Sequence, residues 1–108
     1  MKVQEKYYRL LKSGVKTIEL RLYDEKRQKI KIGDDILFEN LNDPSDTFIA
    51  TVVHLHRAND FGDLADKIPP QKAGFQSHED LVETMKMFYP PERQKEFGVL
   101  GIEIKMKK

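Results

Sequence analysis

From Thr47 to Arg57 the chain reads TFIATVVHLHR, with β-branched and apolar side chains on both parities of a strand-forming run. A strand solvated on one face alternates; one apolar on both is either covered on both sides or bent around a barrel. At roughly 3.3 Å per residue the run is also too long to lie flat against the one small core that 108 residues can build. The fold must therefore curve.

The flanking segments fit that constraint. Val3, Tyr7, Leu10 and Leu11 form a helical stripe that Gly14 stops. Thr17–Leu22 alternates strictly, turning Ile18, Leu20 and Leu22 to a core and Thr17, Glu19 and Arg21 the other way. Gly33-Asp34 is a turn before a strand at Asp35–Asn40, and a second turn is expected over Asn42–Asp46. Phe61, Leu64, Ala65 and Ile68 predict a short helix ended by Pro69-Pro70. Ser77 caps another, with Leu81, Val82, Met85, Phe88 and Tyr89 on its apolar face and Pro90-Pro91 as its stop. Leu100, Ile102, Ile104 and Met106 mark a closing strand. The expected architecture is α+β: a single domain over residues 1–108, built as a small β-barrel of about five to six strands with flanking helices.

Composition narrows the chemistry. There is no cysteine, which excludes disulfides, thiolate zinc sites and cysteine nucleophiles. No apolar run approaches the roughly 20 residues of a membrane span, and MKVQEKYYRL lacks the apolar stretch of a secretion signal, so the expected compartment is cytoplasmic, with no membrane partner. The net charge of +1 conceals a division. Residues 1–33 hold ten Lys and Arg against four Asp and Glu, whereas residues 34–96 hold six against thirteen. Such segregation can produce one cationic face that attracts phosphates, although folding can equally disperse it.

The strand at Thr17–Leu22 is the most informative stretch. Glu19 and Arg21 lie two apart on one face, roughly 7 Å along the strand, and can pair or jointly grip one polar ligand. Lys16 has the wrong parity for that face and belongs in the turn after Gly14, from which a flexible ammonium can swing toward the same ligand. The same letters also describe an ordinary amphipathic edge strand. Tyr8, Tyr23 and Tyr89 are candidate stacking platforms for an unpaired base, whereas Tyr7 is expected in the core. His54 and His56 share a strand face, but no third ligand is evident, so a partly buried packing role is expected and no metal or cofactor is inferred.

The segment Gly14-Val15-Lys16-Thr17-Ile18-Glu19-Leu20-Arg21 resembles the G-x-K-x-x-E-x-R signature of ASCH domains, a branch of the PUA-like superfamily. The preceding helix, the Gly33–Phe38 turn and strand, and the Tyr89-Pro90 helix end before a Gly-containing last strand are similar to that family's layout. The resemblance implies a cleft in which Lys16, Glu19 and Arg21 meet RNA or a nucleotide-like small molecule, with Thr17 on the same wall. Arg57 and Tyr89 are expected to extend the ligand-binding set. An alternative is an amidohydrolase acting on an N-acetylated cytidine-type nucleoside, with Lys16, Thr17 and Glu19 as its catalytic candidates. In the hydrolases, however, a Thr stands where this chain has Glu19, and a Glu stands near Gly74. A third reading is a protein-interaction domain that holds no small ligand.

Overall fold

The structure, a computed structural model, describes residues 1–107. Nine elements follow one another as β1 (Lys2–Val3), α1 (Glu5–Ser13), β2 (Ile18–Leu22), β3 (Asp35–Asn40), β4 (Asp43–Ala58), α2 (Phe61–Lys67), α3 (His78–Phe88), α4 (Pro91–Phe97) and β5 (Val99–Met106), with short 3-10 turns at Arg27–Lys29 and Pro70–Ala73. The strands form one sheet in the order β1-β3-β4-β5-β2. The expectation of a closed barrel is corrected: β1 and β2 are its two edges, and the sheet curls into a half-barrel. No helix among the described residues is long and apolar enough to cross a membrane.

The sheet is covered on both faces only along β2 and β5; over β3 and the first part of β4 the outer face is open, with Leu37, Ile49 and Val53 exposed, so the run at Thr47–Arg57 bends rather than being buried on both sides. Ile18, Leu20, Leu22 and Val99 pack on one side with Phe61 and Leu64 of α2 and Leu81 and Met85 of α3. Phe38, Phe48, Ala50, Val52, Leu100 and Ile102 pack on the other with Val3 of β1 and with Tyr8 and Leu11 of α1. Gly101 fits a tight spot between the layers, where a Cβ would sit 3.1 Å from Ile18 Cγ2.

β4 changes faces part-way. Its register with β5 shifts between Val52 and His54, leaving Val53 as an extra residue, so Phe48, Ala50 and Val52 point to the inner core but Leu55 takes that direction afterwards. His54 and His56 share a face, as expected, and the shift makes it the face opposite Phe48. Their rings sit 4.6 Å apart, and His56 Nε2 lies 2.9 Å from Glu103 Oε1. Among the described residues no group of three potential ligands forms a metal site.

Three boundaries also differ from expectation. Val3 belongs to β1, paired parallel with Asn40, and not to the helix that follows. The turn expected over Asn42–Asp46 contracts, because β4 already starts at Asp43. Pro90-Pro91 ends α3 but also starts α4, since proline at the first helical position has no needed N–H to lose. Buried Gln94 of α4 then fastens the connection: Oε1 accepts from Phe61 N at 3.1 Å and Nε2 donates to the Tyr89 carbonyl at 2.8 Å. The caps at Ser77 and Gly14 form as read, with Asp80 N donating to Ser77 Oγ and Gly14 at φ 85°.

Phe38 is fully buried and stacked on Phe48 at 5.1 Å. Phe38→Ala should therefore cost about 3–5 kcal/mol in urea unfolding. Ile49→Ala, at a position 45% exposed on the same hairpin, should stay within about 0.5 kcal/mol of wild type. Equal losses would contradict this assignment of the inner core.

Candidate functional site

Pairing of β2 with β5 sets Glu19 opposite Ile102 and Arg21 opposite Leu100, so both charged side chains enter the inner core's side of the sheet and not open solvent. Glu19 is only 5% exposed and Lys16 only 3%. Taking charges out of water is expensive unless they are paired and hydrogen-bonded. The pairing is complete. Lys16 Nζ lies 3.0 Å from Glu19 Oε1, which also receives a longer bond from the Leu20 amide at 3.3 Å. Arg21 donates to Glu19 Oε2 from Nη2 at 2.8 Å and from Nε at 3.2 Å.

Arg21 does a second thing. Its Nη2 donates to the Lys2 carbonyl at 2.7 Å, joining edge strand β2 to edge strand β1. The seam of the half-barrel is thus bridged by a side chain where a closed barrel would have a backbone ladder.

At this seam lies a cavity of about 230 Å³. Lys16, Glu19 and Arg21 contribute its charged wall; Tyr7, Phe75, Phe88 and Tyr89 supply aromatic surface, and Lys2, Val3, Gln4, Leu20, Leu41 and Met85 complete it. The Tyr7 and Phe88 rings meet edge to face at 6.3 Å, and Lys16 Nζ lies 4.9 Å from the Tyr7 ring centroid.

The electrostatics follow from these contacts. Burial by itself would raise the Glu19 pKa, but the Lys16 ammonium and the Arg21 guanidinium outweigh it and hold the carboxyl below its ordinary value. Burial pulls Arg21 down, yet Glu19 and the Tyr89 phenol beside it leave the guanidinium more firmly protonated than usual. Burial, with the negative charges of Asp80 and Glu19, pushes the Tyr7 phenol up, so it remains a neutral hydroxyl.

The structure brings Lys16, Glu19, Arg21 and Tyr89 together and leaves two expected residues elsewhere. Lys16 does occupy the turn before β2, but it is clamped on Glu19 rather than swinging free. Thr17 is absent from the cavity wall; its backbone is tied to Lys72 and Ile104. Arg57 stacks on the Tyr23 ring at 3.9 Å beside a different hollow, near α4. The two adjacent tyrosines of α1 exchange the roles expected of them. Tyr8 is fully buried, donates to Asp46 Oδ1 at 2.9 Å and has its phenol pKa pushed up to about 12 by burial and that carboxylate. Tyr7 faces the cavity. Phe88, expected to pack on the apolar face of its helix, is instead 41% exposed at the cavity rim, and nothing in the sequence pointed to Lys2 or Phe75.

A family model of the ASCH domain matches residues 1–108. The chain belongs to the ASCH domain family. It is similar to the hypothetical protein PH0355, solved by crystallography, with 38% identity over 99% of this chain and 96% of that one and a TM-score of 0.86. It is also similar to protein PF0455 from Pyrococcus furiosus, solved in solution by NMR, with 32% identity over 100% of this chain and 99% of that one and a TM-score of 0.74. No curated protein matches the chain. In this ASCH domain the signature residues Lys16, Glu19 and Arg21 form one hydrogen-bonded unit at the cavity.

Because Glu19 has a depressed pKa when folded, its stabilising effect is complete above the ordinary carboxylate range near pH 4.3 and is lost as pH falls through the lower folded value. Glu19→Gln should cost about 3–5 kcal/mol at pH 7, since two buried cations lose their counter-charge. The gap between wild type and variant, followed by urea unfolding, should narrow below about pH 4.3. A gap constant down to pH 2 would mean that the carboxylate is not ionised in the fold.

Proposed function

We propose that this ASCH domain binds RNA or a nucleotide-like small molecule in the seam cavity. One observation carries the reading: both Glu19 oxygens are already occupied, by Lys16 and Leu20 on one and Arg21 on the other. A carboxylate offers about four acceptor positions, so little of Glu19 is left for a ligand, and its task is to hold the cations in place. The ammonium and guanidinium retain N–H donors beyond those spent on Glu19, and Tyr7 and Tyr89 line the same space. The wall therefore favours a ligand rich in acceptors, such as a phosphate or a base carbonyl, with a flat ring to lie against Tyr7 and Phe88.

The amidohydrolase reading finds less support. Thr17 lies off the cavity wall. Near where the hydrolases carry their Glu, this chain has Gly74 at φ +89°, a conformation that a side chain adopts only with strain, and a Cβ there would press on Lys16 Cδ at 3.2 Å.

Millimolar 5′-mononucleotides should raise the melting temperature of the wild-type domain, because a ligand at 100 times its Kd stabilises the fold by about 2.7 kcal/mol. Phe88→Ala, at a side chain 41% exposed, should fold normally and lose about 1–3 kcal/mol of binding. Arg21→Ala should lose tenfold or more, about 1.4 kcal/mol. No shift with any of the four nucleotides would overturn the reading, and release of acetate from N-acetylcytidine would replace it with the hydrolase.

A further inference from the structure

Arg21 and Lys2 line not one hollow but two. On their other side lies a concavity of about 650 Å³, bounded also by Lys26, Arg27, Ile30 and Ile36. Its cations all come from the basic first third of the chain. Lys2, Arg21, Lys26 and Arg27 stand there against Asp35 and Glu39, and Asp35 is already engaged by Lys107 and by the Thr51 hydroxyl at 2.8 Å.

Arg27 is incompletely partnered. Its Nη1 lies 3.3 Å from Asp24 Oδ2, while Nε is buried and has no acceptor among the described residues. A buried donor without an acceptor costs the fold stability, and an anion that turns the guanidinium toward itself removes that cost. Lys26 beside it is exposed and makes no ion pair in the described structure.

The two concavities lie on either side of the Arg21–Lys2 contact and so adjoin at the seam. The first offers aromatic faces and a few directed donors; the second offers cations and almost no aromatic surface. A base suits the first and a backbone phosphate the second. We infer that the basic hollow beyond Arg21 is a second anion subsite, which holds phosphate flanking the nucleotide in the seam cavity, so that the ligand is a single-stranded oligonucleotide at least two nucleotides long. This rests on the seam cavity being a nucleotide site.

The test compares fluorescently labelled random RNA hexamers with the four 5′-mononucleotides, on wild type, Lys26→Glu and Arg27→Gln, across a salt series. Hexamers should bind at least tenfold tighter than any mononucleotide. Each variant should weaken hexamer binding about three- to tenfold and reduce the slope of log affinity against log salt by about 0.7, the value for one phosphate contact on a single strand. Mononucleotide binding should be unchanged in both variants. Hexamer affinity that survives Lys26→Glu and Arg27→Gln would overturn the second subsite while leaving the cavity reading intact. Failure of wild type to bind either probe would overturn both, and a Phe88→Ala effect on mononucleotides alone would sustain only the first.

Discussion

Two cations and a carboxylate cannot leave water without one another, and this requirement shapes the seam of the sheet. Glu19 sits on the inner side of β2 because its strand neighbours Leu20 and Leu22 are held by the opposite core. Once there it must be neutralised, and the chain does so from both directions: Lys16 from the turn before it, Arg21 from two residues after it. Arg21, having satisfied Glu19, still has a donor for the Lys2 carbonyl. The same interaction that offsets the burial of a charge therefore joins two edge strands that have no ladder between them.

That arrangement leaves a gap where a fully closed barrel would have a strand pair. Backbone pairing brings strands to about 4.8 Å and fills the space between them. A side-chain bridge holds β1 and β2 farther apart, and the difference becomes the cavity. α1 and α3 close over it with Tyr7, Met85 and Phe88, which is why aromatic surface and fixed charge meet there. The cavity and the ion triad are one structural fact, so damage to the triad is felt as loss of stability as well as loss of the site.

The curl of the sheet and the covering of β2 and β5 have their own local devices. The extra residue at Val53 lets β4 serve the inner core first with its even and then with its odd positions, and the bend turns a strand too long for a small core into one that wraps it. Gly101 lets α2 approach the outer face, since a Cβ there would crowd Ile18 at 3.1 Å and already touch Leu64 at 3.6 Å.

Most of the elements were legible from short-range pattern alone. β3 matches its expected bounds, the Ser77 cap and the Pro69-Pro70 stop act as read, and alternation identifies β2 and β5. The gathering of Lys16, Glu19, Arg21 and Tyr89 at one cavity wall was also legible, because three of them lie within six residues. What the pattern could not carry was anything that depends on a second layer. Periodicity says that Tyr7 and Tyr8 lie on neighbouring sides of a helix but not which side meets the core. Alternation says that Glu19 faces away from Leu20, and not that a second core waits there. Charge counts say that the first third is basic, and not that Arg21 and Lys2 stand between two hollows while Arg57 goes to a third. Local spacing determines which residues share a face, since that follows from backbone geometry. Which faces are buried, and which charges must therefore find partners, was decided only when the sheet curled, because burial is a property of what packs on a face and not of the face itself.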